Sequence, residues 1–155
     1  MALLKFNNIG IRAIAAAVPR NVVKTRSLTE FYSEEDIEKF IAATGVEERR
    51  FAGTDVCASD LCYQAACQIF DETDIKREDI DALFFISQSS DYKIPGTSGI
   101  LQHELGLSKD TIVYDVNMSC SGFIHGLLMA YNFLQQPGIK NVMVMVGDTL
   151  SKMIS

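Results

Sequence analysis

The sequence predicts an α/β domain in which a mostly parallel sheet carries helices on both faces. Three short apolar runs lack the alternation of half-exposed strands, which is typical of strands covered on both sides: Ile80–Ile86, Ile112–Val116 and Val142–Val146. Helical patterns separate these runs, and crossovers of this length join parallel strands by right-handed connections. The 155 residues, 48% hydrophobic and 22% charged, are enough for one domain with its own core.

The other elements follow from start and stop signals in the chain. Residues 9–18 are rich in small and β-branched side chains and stop at Pro19, so we expect a strand there. The helices are marked by three signals: a capping residue at the start, apolar residues at helical spacing, and a glycine or Pro-Gly pair at the end. These helices are expected after Ser33 up to Gly45, from Ser59 to about Phe70, over Thr97–Leu105, and over Gly122–Gln135.

Charge and hydropathy exclude several classes of protein. The net charge is −6, and no stripe of Lys and Arg offers the positive face that binding to nucleic acid needs. No apolar run approaches the ~20 residues of a membrane span, and the start of the chain lacks a signal peptide. We therefore expect a cytoplasmic protein with no nucleic-acid partner and no membrane association.

Three of the four cysteines suggest neither a metal site nor a disulfide framework. Cys57, Cys62 and Cys67 are each five residues apart, whereas zinc ligands usually stand two to four residues apart. We expect them to be reduced, partly buried apolar side chains, with no metal and no cofactor.

The fourth cysteine, Cys120, stands where a strand gives way to a helix. A strand ending at Val116 runs into small residues, then Cys120, then Gly122 and an amphipathic helix. In open parallel sheets, ligands bind beyond the carboxyl ends of strands, and a helix N-terminus favours a thiolate. The pattern is similar to the nucleophile elbow of hydrolases. A nucleophile and a buried structural cysteine both fit it.

Several motifs point to one family. Cys120-Ser-Gly-Phe123 follows Tyr114-Asp-Val116, and Thr44–Arg50 and Val144–Asp148 stand in the matching order. Together they resemble the N-terminal half of β-ketoacyl-acyl-carrier-protein synthase III, a condensing enzyme with the thiolase fold. The resemblance implies that residues 1–155 form an N-terminal thiolase-like half-domain of a duplicated αβαβα layered fold, with the C-terminal half absent.

The resemblance also implies a reaction for Cys120. In that family a cysteine at this position takes the acyl group of an acyl thioester and holds it for condensation with malonyl-carrier-protein, in fatty-acid or related biosynthesis. Its own backbone N–H is one oxyanion donor, and a histidine and an asparagine come from the C-terminal half. We expect His103 and His125 to be surface or structural residues, and this chain alone to be inactive in condensation.

Substrate contacts carry over from the family as well. The Ser90–Pro95 loop resembles the segment that crosses a homodimer and closes the neighbour's acyl pocket, which puts Ile94 in the position of a phenylalanine. Leu150 resembles a pocket-lining residue. Lys39 and Ala43 replace the tryptophan and arginine that grip coenzyme A, so acyl-coenzyme A and acyl-carrier-protein are both candidate donors. A carrier protein is acidic and would need a basic patch. The candidates are Arg49, Arg50, Lys76 and Arg77, which a solvated polar face would also explain.

Two other functions fit the sequence. The first is a thiolase-fold module for dimerisation or carrier-protein binding that has lost its chemistry. The second is a hydrolase in which His103 or His125 of the same chain approaches the sulfur of Cys120.

Overall fold

The structure is a computed structural model that describes residues 3–152. Contacts group the chain into two compact units. The larger unit comprises residues 57–148 and the N-terminal segment up to residue 17, and the smaller comprises residues 18–56 and the segment from residue 149. The single half-domain over residues 1–155 stays a prediction.

Residues 3–152 contain five strands and four α-helices. In chain order the strands are β1 (Asn21–Lys24), β2 (Glu48–Phe51), β3 (Ala82–Ile86), β4 (Ile112–Val116) and β5 (Val142–Val146). The helices are α1 (Glu34–Thr44), α2 (Ala58–Glu72), α3 (Thr97–Glu104) and α4 (Gly122–Phe133). No helix within residues 3–152 is long and apolar enough to span a bilayer.

The larger unit is built on a parallel sheet in the order β4-β3-β5. All side chains of β3 are buried, because strands flank it on both sides and helices cover both faces. Residues of α2 and α3 pack with Leu83 and Phe85 on one face, while Ala130 of α4 packs with Phe84 on the other. The predicted α/β fold with helices on both faces is confirmed.

The strand β4 is less covered than its sequence predicts. The apolar run Ile112–Val116 indicates burial on both faces, yet Tyr114 is 49% exposed. Within residues 3–152 this strand pairs with β3 alone, so it is an edge of the sheet. Hydrophobic composition signals a covered strand, but only strand order decides which strand lies at the edge.

The expected strand over residues 9–18 does not form in the described part of the chain. The segment alternates in exposure, but no described strand lies beside it to complete a ladder. The antiparallel pair β1-β2 of the smaller unit was not predicted, because these two short strands are polar and largely exposed. A period-2 apolar pattern is absent from both.

The helix caps show one correct and one wrong prediction. Ser33 caps α1 by accepting a hydrogen bond from the N–H of Asp36 at 3.2 Å, and Gly45 ends the helix at φ 70°. The cap of α2 is Cys57 instead of Ser59: the Asp60 carboxylate accepts the Cys57 N–H at 2.7 Å. Ser59 lies inside the first turn of the helix, and its hydroxyl donates a hydrogen bond to Asp91.

Two glycines bring α4 against the sheet. A Cβ on Gly122 would lie 2.7 Å from Cγ2 of Ile86, and a Cβ on Gly126 would overlap Ile86 and lie 2.9 Å from Cγ1 of Val144. These residues stand four apart and share one face of the helix. The first two turns of α4 can therefore approach the carboxyl end of β3 and the middle of β5.

A matched pair of substitutions tests this packing. Gly126→Ala and Gly99→Ala both replace a helical glycine, but nothing lies within 4 Å of a Cβ at Gly99. The gain in helix propensity, up to about 1 kcal/mol, is common to both. We expect urea unfolding to show Gly126→Ala about 1–3 kcal/mol less stable than Gly99→Ala because of overpacking. Equal free energies of unfolding would contradict this close approach.

Candidate active site

Cys120 lies in the turn between β4 and α4, at the carboxyl edge of the parallel sheet. The turn is closed by a hydrogen bond of 2.7 Å from the N–H of Gly122 to the carbonyl of Ser119. Cys120 is exposed and not in a disulfide. Among residues 3–152, no acceptor engages its backbone N–H. An exposed thiol beside an unengaged N–H at this edge can meet a carbonyl substrate.

Asp148, which follows β5, organises the neighbouring loop at the same edge. Its Oδ1 accepts four hydrogen bonds of 2.9–3.1 Å, from the hydroxyl of Ser87, the N–H of Gln88, and the N–H and hydroxyl of Ser89. Parallel pairing makes this possible, since Ile86 is in register with Val146. The start of the loop after β3 is thereby tied to the end of β5.

Asp115 of β4 holds the far end of that loop. Its carboxylate accepts the N–H of Ser98 at 3.2 Å and the Ser98 hydroxyl at 2.7 Å. Ser98 lies in the first turn of α3, where backbone N–H groups lack partners within the helix. One strand therefore carries Asp115 and leads to Cys120.

Burial and two carboxylates make Cys62 of α2 unlike Cys120. Cys62 is 8% exposed, and burial raises the pKa of its thiol from the usual 9.0 to about 12, helped by the negative charges of Asp91 and Asp148. A thiol in this environment stays protonated at neutral pH and is a poor nucleophile. Its burial agrees with the expectation that Cys62 packs as an apolar side chain.

The other predicted residues of the larger unit are widely exposed. Ile94, in the loop between β3 and α3, is 92% exposed. His103 is on the surface of α3, and the Nδ1 of His125 lies 2.9 Å from the carbonyl oxygen of Ser121. No hydrogen bond joins either histidine to Cys120 within the described residues, so the geometry that a same-chain hydrolase requires is not present.

Of the remaining candidates, Lys76 and Arg77 lie in the larger unit and the others in the smaller unit. Leu150 begins a one-turn 3₁₀ helix and is exposed. Lys39 pairs with Glu35 at 2.6 Å, and Arg49 lies over the ring of Phe40 at 5.0 Å. These cations have partners within the unit.

Metal binding finds no basis among the described residues. Within residues 3–152, no group of three or more His, Cys, Asp or Glu side chains is placed to hold an ion.

Comparison with known proteins identifies the relatives of this arrangement. The family model described as 3-oxoacyl-[acyl-carrier-protein (ACP)] synthase III matches residues 114–155, which include Asp115 and Cys120. A β-ketoacyl-[acyl-carrier-protein] synthase III from Fusobacterium nucleatum is 34% identical over 147 residues. The chain is homologous to β-ketoacyl-acyl-carrier-protein synthase III. The match covers 95% of the chain and 44% of that relative, so the chain spans about half the length of the synthase.

Solved structures agree with the sequence relatives. The 3-oxoacyl-(acyl-carrier protein) synthase from Burkholderia xenovorans LB400 superimposes with a TM-score of 0.86 at 34% identity, over 92% of this chain and 42% of the synthase. Cerulenin-bound OleA from Xanthomonas campestris gives 0.79 at 29% identity, over 90% and 42% of the two chains. The larger sheet is accordingly that of the N-terminal half of a thiolase fold, and the resemblance to synthase III is confirmed.

Sequence reasoning missed the polar residues that anchor the loop after β3. Asp148 and Asp115 each stand at or near the carboxyl end of a predicted parallel strand, where such side chains meet. Their position at these strand ends could have identified both aspartates as residues of the site from the sequence. Ser59 and Ser98 gave no such signal, because serine near a helix start normally caps its own helix.

The raised pKa of Cys62 predicts a loss of stability at alkaline pH. Above pH 9 the unfolded thiol ionises while the folded thiol, with its pKa near 12, stays protonated. The contribution of Cys62 is therefore complete below pH 9 and falls as the pH rises toward 12, by up to about 1.4 kcal/mol per pH unit. Urea unfolding between pH 8 and about pH 11 should show a shallower decline for Cys62→Ala than for Cys120→Ala. Identical slopes would show that Cys62 does not titrate differently in the two states.

Proposed function

We propose that this chain carries the nucleophile of a synthase III-like acyltransferase. In the proposed reaction, Sγ of Cys120 bonds to the carbonyl carbon of an acyl thioester, and the bond from that carbon to the donor sulfur breaks. The thiol proton of Cys120 leaves with the donor, which departs as a free thiol. The acyl-cysteine formed is again a thioester, still reactive enough to condense with malonyl-carrier-protein.

The position of Cys120 carries this proposal. It is exposed in a strand-to-helix turn at the carboxyl edge of a parallel sheet, within the segment that the synthase III family model matches. The unengaged N–H of Cys120 supports a role as an oxyanion donor, because such a donor must be free to meet the charge that develops on the carbonyl oxygen. The thioester chemistry also explains why the residue is cysteine, since a serine ester would be a poorer acyl donor.

Substrate selection is proposed to involve two exposed apolar side chains. Ile94 would close the acyl pocket of a second copy, and Leu150 would line the pocket of its own chain. Both are large, apolar and exposed, so neither is committed to a hydrophobic core and both are available to a ligand or another chain. We propose acyl-coenzyme A or acyl-carrier-protein as donor and the cytoplasm as the place of action.

Acyl transfer to Cys120 is the direct test. Incubation with butyryl-N-acetylcysteamine should add one acyl group to the wild-type protein, located at Cys120 by peptide mass spectrometry. Cys120→Ala should lose the label, and Cys57→Ala should keep it. Residues 1–155 alone are expected to acylate slowly and not to condense, because groups that act as a unit do not contribute additively.

Failure of this test would have a clear meaning. If Cys120 stayed unlabelled in the full-length protein, the acyltransferase proposal would be wrong. A Cys120→Ala protein that kept its function in cells would favour the non-catalytic dimerisation or carrier-binding module instead. Parallel runs with acyl-coenzyme A and acyl-carrier-protein would distinguish the two donors.

A homodimer is proposed through the open edge of β4. Within the described residues this strand is paired on one side, and Ile112 and Tyr114 are exposed along it. Unpaired edges with exposed apolar side chains favour pairing with another chain. A second copy of β4 would satisfy these groups by continuing the sheet.

A charge placed on that edge tests the dimer. Ile112→Lys should weaken self-association by about tenfold or more in sedimentation velocity, because it places a cation within the strand interface. Phe31→Lys is the control, since Phe31 is an exposed apolar residue of the smaller unit. A monomeric wild-type protein, or equal effects of both variants, would exclude association through β4.

A further inference from the structure

The start of α3 is capped by a side chain from another element. Its N-cap residue is Gly96, which has no side chain to accept a hydrogen bond. Asp115 of β4 supplies the acceptor, at 3.2 Å from the N–H and 2.7 Å from the hydroxyl of Ser98. A carboxylate at a helix N-terminus is also favoured by the helix dipole.

Gly96 and Asp115 fit each other. A Cβ on Gly96 would overlap Oδ2 of Asp115. The carboxylate can therefore reach Ser98 only because residue 96 is glycine. The cap depends on a close approach between the loop and β4.

Further hydrogen bonds fix the loop just before α3. The hydroxyl of Thr97, which is fully buried, lies 3.3 Å from the N–H and 3.4 Å from the carbonyl oxygen of Tyr92. Asp91 accepts a hydrogen bond from Ser59 of α2. Both ends of the Tyr92–Pro95 segment are thus tied to buried structure, while the segment itself is exposed.

The consequence of this anchoring falls on Ile94. An exposed apolar side chain on a free loop would lose conformational entropy on binding. That loss weakens its contact with an acyl chain and reduces the discrimination between chains of different length. A loop that is held at both ends fixes the position of Ile94 before an acyl chain binds. Asp115 is the anchor that belongs to the strand leading to Cys120, so the nucleophile and the loop are positioned from one strand.

We propose that Asp115 is a positioning residue for acyl-chain selectivity, acting through Ile94. This inference rests on the proposed acyltransferase function and on the proposed role of Ile94 in the pocket of a second copy. Asp115 does not touch the substrate. It determines how sharply the loop discriminates between short and long acyl chains.

Hydrogen exchange tests the anchoring by itself. In the full-length protein, Asp115→Ala should speed amide exchange in a peptide covering residues 92–99 by about tenfold, since a charge-assisted hydrogen bond is lost. Ser98→Ala keeps the backbone contact and should give a smaller increase. Asp110→Ala is the control, because the Asp110 carboxylate makes no hydrogen bond in the described region. Unchanged exchange in Asp115→Ala would overturn the anchoring.

Selectivity is measured as the ratio of acylation rates of Cys120 with butyryl- and octanoyl-N-acetylcysteamine. Asp115→Ala should change this ratio by at least about fivefold, and Asp115→Asn should change it less. Asp110→Ala should leave the ratio unchanged. Ile94→Ala should change it too, and adding Asp115→Ala to Ile94→Ala should have little further effect, because both act through one side chain.

The two failures are distinguishable. A wild-type protein that forms no acyl-Cys120 contradicts the proposed function and with it the role of Asp115 in selectivity. Hydrogen exchange would still test whether Asp115 anchors the loop. A wild-type protein that acylates normally, with the same ratio in Asp115→Ala despite faster loop exchange, overturns the role of Asp115 alone. Additive effects of Asp115→Ala and Ile94→Ala would also overturn it.

Discussion

The close contact between α4 and β3 is the constraint on which the candidate site depends. Gly122 and Gly126 have no Cβ, so the helix can lie against Ile86 and Val144 where larger side chains would hold it away. The helix start is thereby fixed at the carboxyl edge of the sheet, and Cys120 is fixed in the turn before it. The exposure of this thiol is therefore a consequence of packing several residues further along the chain.

Carboxylates provide a second level of order at the same edge. Asp148 holds the beginning of the loop after β3, and Asp115 holds its end. Hydrogen bonds to a charged carboxylate are stronger than those between neutral groups, and each such bond here joins segments far apart in sequence. Burial, together with the negative charges of Asp91 and Asp148, raises the pKa of Cys62 and keeps this thiol protonated, whereas Cys120 is exposed. The two cysteines differ because of their surroundings.

Homology and geometry support different parts of the functional proposal. The relatives show that the larger sheet is that of a synthase III N-terminal half, and the family model matches the segment that contains Cys120. The geometry adds an exposed thiol, an unengaged backbone N–H and an anchored apolar loop. We propose that acylation and condensation separate in experiments on this chain, because groups that act as a unit do not contribute additively.

Local signals predicted the elements that depend on nearby residues. The buried strands, the Ser33 cap with its Gly45 terminator and the turn at Cys120 were all predictable, because hydrophobic period, capping chemistry and glycine act over a few residues. Prediction failed at residues 9–18, at Ser59 and at the exposed strand β4, where the outcome depends on which segment lies alongside. A strand needs a partner, and a serine bonds to the strongest acceptor within reach.

The amino-acid sequence by itself determined the fold class, the family and the residue that we propose as nucleophile. Tertiary structure decided which strand is the edge, which carboxylates anchor the loop that carries Ile94, and which thiol is buried. The physical reason is range: backbone preference and periodicity are properties of short segments, whereas burial, strand order and carboxylate bonding arise only when distant segments meet.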